Sequence, residues 1–307
     1  MRNGTTIGGT ITLTPLGMDG GGWVTGIDIA NDGYMVTRND TNNSAVRGPN
    51  DTTWRELFKP GTTFPNTYQI YQNPVQNTYE VCISPSNSLI LYAAAMGRLW
   101  KTTDRGFNWT LLTGFKTGSL DTTMNWSGGE RLGGQHMRVS PTVSNNVGFC
   151  HPVDGFYYST DGGTTWTKNA VIPAPTTTAG GCIYFVSDTD VWVVMKGAGA
   201  YHSTTGVSGT FALVSGGPLA CSSIAGGGGK VYFAGNSLEA DTQLYVWNGT
   251  AFSQPTGVDS FSTTLPVIGM SVAVSAANTA KVIVTNEGGT QWVSLDTGAT
   301  WSLGPPL

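Results

Sequence analysis

Apolar residues along this chain come in short runs, some alternating with Thr, Ser or Asp and others continuous, each broken by Gly, Asn, Asp or Pro. Val24-Thr25-Gly26-Ile27-Asp28-Ile29-Ala30 is followed by the turn Asn31-Asp32-Gly33 and then by Tyr34-Met35-Val36-Thr37-Arg38. A third run at residues 44–47 and a fourth at 55–58 complete a set. Period-two alternation bounded by turn residues predicts strands, and four in succession with short connections predict one antiparallel sheet. Comparable sets begin at residues 79, 137, 182, 222 and 270.

Between the third and fourth strands of several sets lies a shared corner. Ser159, Asp161, Gly163 and Trp166 repeat the spacing of Thr102, Asp104, Gly106 and Trp109, and Ser294, Asp296, Gly298 and Trp301 repeat it again. In a hairpin turn the Asp carboxylate accepts backbone N–H bonds, the Gly takes a positive φ, and the Trp drops onto the sheet. Looser versions occur around Asp51 and Trp54, from Ser203 to Phe211, and at Asn248-Gly249 before Phe252. The closing aromatics Trp54, Trp109, Trp166, Phe211, Phe252 and Trp301 are 41 to 57 residues apart, close to the roughly 40–50 of propeller repeats.

The expected fold is all-β: a single β-propeller of four-stranded antiparallel blades over residues 1–307. Six blades are expected, with seven as the alternative if 60–78 or 111–135 holds another sheet. Residues 1–9 read as a flexible N-terminus, and a strand at Ile11-Thr12-Leu13-Thr14-Pro15-Leu16 is expected to close the ring against the last blade.

The three full corners resemble the Asp-box, or BNR repeat, of sialidase-like and xyloglucanase-like propellers and of the sortilin family. That resemblance implies a folding role for Asp104, Trp109, Asp161, Trp166, Asp296 and Trp301, on the blade periphery and away from chemistry.

Composition narrows the partners. Only 11% of the residues are charged and the formal net charge is −4, so solubility rests on neutral polar side chains, and nucleic acid, which needs a basic surface, is excluded. No transmembrane run occurs, so membrane insertion is not expected. The first residues lack the apolar core of a secretory signal. An extracellular or virion-surface location is expected, either as a mature fragment or as a component released without such a signal. Cys82, Cys150, Cys182 and Cys221 sit in apolar runs without CxxC spacing and are expected as buried thiols. His136, His151 and His202 make no ligand pair, so no metal and no cofactor are expected.

Connectivity decides which residues share a surface. In a meander numbered outward from the axis, turns between second and third strands and links between blades emerge on one face, and the corners on the other. The long links 60–78 and 111–135 crown the first face. They carry Phe64, Tyr68, Tyr71, Met124, Trp126 and Glu130, while the Gly-rich stretch before the first strand carries Trp23. Aromatic rings of this kind stack on sugar faces, with Asn, Gln and Thr bonding hydroxyls, although packing of the loops onto the blades would use the same rings. Asp40, Glu80, Asp154 and Glu287 reach that face by topology.

Gly20-Gly21-Gly22-Trp23-Val24-Thr25-Gly26-Ile27, followed by Val36-Thr37-Arg38-Asn39-Asp40, resembles the start of the xyloglucanases of glycoside hydrolase family 74. Gly129-Glu130-Arg131-Leu132 is similar to a second stretch of that family. The resemblance implies that Asp40 corresponds to the family's catalytic base. Asn42 and Asn43 replace the two glycines that follow that Asp, and the family draws its general acid from a second propeller. Inverting hydrolysis needs two carboxyls about 6.5–9.5 Å apart. Glu80, five residues before Pro85 on the next blade, is the internal candidate for the second. Sialidase chemistry is excluded, because it needs converging Arg residues and the last three blades have none.

Two functions are therefore expected in order. The first is a non-catalytic propeller that binds a polysaccharide or surface glycan, or docks to other structural proteins of a surface assembly. The alternative is an inverting endo-acting β-1,4-glucan hydrolase with Asp40 as base.

Overall fold

The computed structural model describes residues 24–39, 44–58, 78–124, 134–176, 180–236, 241–256, 258, 270–286 and 289–304. Blade 1 consists of β1 (Val24–Ile29), β2 (Met35–Asn39), β3 (Ala45–Arg47) and β4 (Arg55–Glu56), and blade 2 of β5 (Thr78–Ile83), β6 (Leu91–Ala95), β7 (Arg98–Thr102) and β8 (Thr110–Leu111). Blade 3 holds β9 (Met137–Val139), β10 (Val147–His151), β11 (Gly155–Ser159) and β12 (Thr167–Lys168); blade 4 holds β13 (Gly181–Phe185), β14 (Val191–Met195), β15 (Gly199–Ser203) and β16 (Ala212–Leu213). Blade 5 is β17 (Cys221–Gly227), β18 (Lys230–Asn236), β19 (Asp241–Trp247) and β20 (Phe252–Ser253). Blade 6 is β21 (Met270–Val274), β22 (Val282–Asn286), β23 (Gln291–Ser294) and β24 (Ser302–Leu303).

Each sheet is a four-stranded antiparallel meander in sequence order, and the six make a β-propeller. The link after blade 2 adds two single 3-10 turns, Lys116–Gly118 and Thr122–Met124, and no further described strand. The stretch 11–16 expected to close the ring lies outside the described residues, as does most of the link 60–78.

Packing follows from the strand pattern. The middle strands face a neighbouring blade on both sides, so they read as continuous apolar runs rather than as an alternation. Val191, Trp192, Val193, Val194 and Met195 of β14 are all fully buried. Among the described residues, five apolar clusters each join two successive blades, from blades 1 and 2 through to blades 5 and 6. In every one the closing aromatic of the later blade takes part: Trp109, Trp166, Phe211, Phe252 and Trp301. All four cysteines are buried within these sheets or at their edges, as free thiols.

The three full corners share one hydrogen-bond pattern. The Thr102 hydroxyl donates to Asp104 at 2.7 Å and accepts the Gly106 N–H at 3.0 Å, and Asp104 Oδ1 accepts the Asn108 N–H at 2.8 Å. Ser159 and Asp161 repeat these bonds with Gly163 and Thr165, as do Ser294 and Asp296 with Gly298 and Thr300. Gly106 has φ +86°, and a Cβ there would lie 2.5 Å from Leu57 Cδ2, so glycine is required twice over. The Thr300 hydroxyl and N–H, with Ser294, pull Asp296 down to about 2.

Candidate functional site at the crown of the propeller

The face formed by blade links and second-to-third-strand turns is held together by direct contacts. Asp121, in the link between blades 2 and 3, donates its N–H to the carbonyl of Gly97 in the β6–β7 turn, and Lys116 of the same link reaches Asp154 in the β10–β11 turn. On the opposite face the corners meet the turns between first and second strands, as where Arg105 donates to the Leu89 carbonyl. Residues 112–124 and Asp154 therefore lie together at the crown, and the Trp-capped corners lie at the other end.

Glu80 enters this face from the start of strand β5, but its carboxylate is turned inward. Oε2 accepts from Arg38 Nη1 at 2.9 Å and from the His136 N–H at 2.7 Å, while Oε1 accepts the Val81 N–H at 3.1 Å. Both side chains of the ion pair are 3% exposed or less. Arg38 also donates to the Thr25 hydroxyl and carbonyl at 2.9 Å each, and to the Gly134 carbonyl at 3.2 Å. One guanidinium thus ties blade 1 to blade 2 and to the last residues of the link that enters blade 3.

Below this bridge the axis opens into a cavity of about 590 Å³, lined by the first strands of all six blades. Asp28 and Arg138 face each other there at 4.0 Å. Burial raises the Asp28 carboxyl above its ordinary value, and the opposing guanidinium offsets this only in part. Gln135 crosses the axis to accept the Ile224 N–H at 3.2 Å.

A second polar cluster sits on the rim, where Lys116, Asp121, His151 and Asp154 meet. Lys116 Nζ donates to Asp121 Oδ2 at 2.5 Å and to Asp154 Oδ2. His151, fully buried, accepts the Val153 and Asp154 N–H groups at Nδ1, at 3.2 and 3.0 Å. That fixes the proton on Nε2, which donates to Asp121 Oδ2 at 3.0 Å. Burial first, and then the Lys116 ammonium, push the imidazole below its usual value. Burial would raise Asp121, but the bonds from Lys116 and Thr123 and the charge of His151 outweigh it and hold the carboxyl well below the ordinary range.

Asp121, His151 and Asp154 place three ligand atoms within 4.8 Å of one another, an arrangement with metal-ligating chemistry. The ammonium already stands among them, supplies the positive charge and takes both carboxylates, so the cluster is complete as a clamp. The sequence offered little sign of it, because its members come from a link and a turn about 30 residues apart and only Asp154 had a topological reason to be there.

Of the other residues expected at the site, Asp40, Trp23, Phe64, Tyr68, Tyr71, Trp126, Glu130 and Glu287 lie outside the described residues. Asn39, which ends β2 immediately before Asp40, is at the crown end of its strand. Met124, expected on the ligand face, is instead 1% exposed and packs the link onto blades 2 and 3. Asp154 is at the crown as expected, half-exposed and bound to Lys116.

No family model matches this sequence, and no curated protein matches it. Solved structures do. The family 74 xyloglucanase of Xanthomonas campestris superposes with a TM-score of 0.72 at 17% identity over 94% of this chain and 46% of that one. A family 74 enzyme of Niastella koreensis gives 0.70 at 22% identity, over 94% and 46%. The WD40 repeats of RRP9 give 0.59 at 9% identity, over 92% and 81%. The chain spans about half the length of the two family 74 structures. At these identities the likeness is one of fold: this chain is a β-propeller similar in structure to xyloglucanases of glycoside hydrolase family 74.

Proposed function

We propose that this propeller binds a polysaccharide or surface glycan at its crown without hydrolysing it. The observation that carries the reading is the state of Glu80. An inverting hydrolase needs a second carboxyl that faces the sugar and can deliver a proton, whereas Glu80 is buried and accepts three hydrogen bonds, one from a guanidinium. Among the described residues, Asp154 is the other crown carboxylate of the expected set, and it is engaged by Lys116.

The aromatic residues of the two long links and of the stretch before β1 supply the sugar-stacking surface in this reading: Trp23, Phe64, Tyr68, Tyr71 and Trp126, with Glu130 and Glu287 as hydroxyl acceptors. The rigid ring and its clamped link provide the platform. A polysaccharide partner agrees with the family 74 likeness, and an extracellular or virion-surface setting agrees with the low charge. Docking to other structural proteins of a surface assembly remains part of the same proposal.

The second reading is hydrolysis of a β-1,4-glucan with Asp40 as base. It is favoured by the Gly20-Gly21-Gly22-Trp23 and Arg38-Asn39-Asp40 stretches and by the xyloglucanase fold neighbours. Incubation with a panel of insoluble and soluble glucans separates the two. Retention on the polysaccharide without new reducing ends, weakened in Trp126→Ala or Trp23→Ala, is the outcome expected. Absence of any retention on polysaccharides or on a glycan array contradicts glycan binding and leaves the architectural role.

A further inference from the structure

Each of the three full corners receives a cation from the blade before it. Lys101 of β7 donates to the Gly162 carbonyl at 3.1 Å, Lys230 of β18 donates to the Thr297 carbonyl at 2.8 Å, and Arg55 of β4 donates through Nη2 to the Arg105 carbonyl. Gly162, Thr297 and Arg105 hold the same place in their corners, between the Asp and the Gly, and all have a left-handed backbone, with φ of +73°, +59° and +59°. One ammonium is therefore enough to tie a corner to its neighbour. The junction of blades 1 and 2 carries two guanidiniums instead, because its corner residue is itself an arginine, held at a φ that side chains disfavour.

Both guanidiniums border a pocket of about 420 Å³ on the corner face, walled by Asn50, Thr52 and Thr53 of blade 1 and by Phe107 of blade 2. Volumes of that order hold small ligands. Stacking fixes the two groups: Arg55 Cζ lies 4.0 Å from the centre of the Phe107 ring, and Arg105 Cζ lies 3.9 Å from that of Tyr34. A guanidinium stacked by its face keeps its in-plane N–H groups for a ligand. Arg105 commits Nε and Nη2 to Ser88 Oγ, at 3.2 and 3.0 Å, and Arg55 commits Nη2 to the corner carbonyl. Among the described residues, Nε and Nη1 of Arg55 and Nη1 of Arg105 have no protein acceptor, and neither side chain is paired with a carboxylate. The nearby acids are engaged elsewhere. Asp51 Oδ2 accepts the Gly48 N–H at 2.7 Å, Asp32 Oδ2 accepts the Ser88 hydroxyl at 2.6 Å, and Asp104 is closed within its corner by Thr102 and Asn108. Burial lowers Arg55 below its ordinary value and the Arg105 charge adds to this, while Asp104 and Asp51 offset it only in part. An anion in the pocket would relieve that crowding of positive charge.

We infer that this pocket binds the carboxylate of an acidic saccharide, a uronic acid unit, with Arg55 and Arg105 as the anion clamp. The N–H groups left on the two guanidiniums match the two oxygens of a carboxylate, in the fork geometry that arginine favours. The remaining wall is neutral and suited to hydroxyls: Asn50, Thr52 and Thr53 are exposed, and Phe107, 56% exposed beside Arg55, offers apolar contact to a sugar ring. The site lies at the opposite end of the ring from the crown and stands independently of what the crown binds.

Two substitutions test this without dismantling the corner. Arg105→Gly places there the residue that blade 3 has as Gly162, and Arg55→Lys keeps a cation for the corner carbonyl, as Lys101 and Lys230 do. Isothermal titration of the full chain at low salt with a trimer of galacturonic acid is expected to show binding that weakens as salt is added. Each variant is expected to lose at least about tenfold in affinity while still unfolding cooperatively on heating. No binding of the trimer, or binding that both variants retain, would overturn the proposal. So would a glutamate tripeptide that binds as tightly as the trimer, which would make an acidic peptide the ligand, or inorganic sulfate that does so, which would reduce the pocket to a site for free anions.

Discussion

Arg38 of β2 and Glu80 of β5 form an ion pair at 2.9 Å with both side chains nearly inaccessible to water, and this pair joins two blades at the crown. Removing one partner of a buried pair strands the other charge, at a cost of about 3–5 kcal/mol, while replacing both with apolar residues of similar size costs much less. Glu80→Leu and Arg38→Met are each expected to lower the stability measured by urea unfolding by that amount, and the double variant is expected to recover most of the loss. Additive losses would show that Glu80 and Arg38 act independently of each other.

The rim clamp gives a pH dependence with a definite sign. His151 is neutral when folded and its pKa lies below the ordinary histidine value of about 6.5, so the unfolded chain binds more protons through that range. Its contribution is complete above pH 6.5 and is lost as pH falls from there through the folded value. Urea midpoints are expected to fall between pH 7 and pH 5 in the parent, and His151→Gln is expected to flatten that slope. An unchanged slope in the variant would assign the pH dependence elsewhere.

The corner aspartates act lower on the scale. Asp296 is held at about 2 by Thr300 and Ser294, and Thr165 and Ser159 lower Asp161 in the same way. A depressed carboxylate contributes stability above its unfolded value near 4, and that contribution disappears as pH drops through the folded value. Asp296→Asn is expected to lower the thermal midpoint at pH 7 and to make it less sensitive to acid between about pH 4 and 2. Equal acid sensitivity of variant and parent would count against the corner as the source.

Gly106→Ala tests the corner's backbone. A left-handed alanine costs about 1–2 kcal/mol, and the added methyl would press on Leu57 at the boundary with blade 1. A loss of at least that size in the unfolding free energy is expected, with a neutral result contradicting the stated geometry.

Much of the fold could be read in advance because the blades repeat. Asp104, Asp161 and Asp296 each carry a complete local hydrogen-bond set, so three short stretches specified three corners, and the intervals between Trp54, Trp109, Trp166, Phe211, Phe252 and Trp301 gave six sheets. The crown was less legible. Its polar contacts join residues far apart in the chain, as in Arg38 to Glu80 or Lys116 to Asp154, and no local pattern marks such pairs. Met124 was misplaced for a related reason: a methionine in a long link can cap the core or face solvent, and only the path of the link decides.

Glycan binding without hydrolysis is tested most directly by one assay, in which the purified chain is incubated with xyloglucan and other β-1,4-glucans while bound protein and new reducing ends are measured together. Bound protein with no reducing ends above the level of a Trp126→Ala control is the predicted result. Reducing-end release that disappears in Asp40→Asn would contradict it and establish the hydrolase.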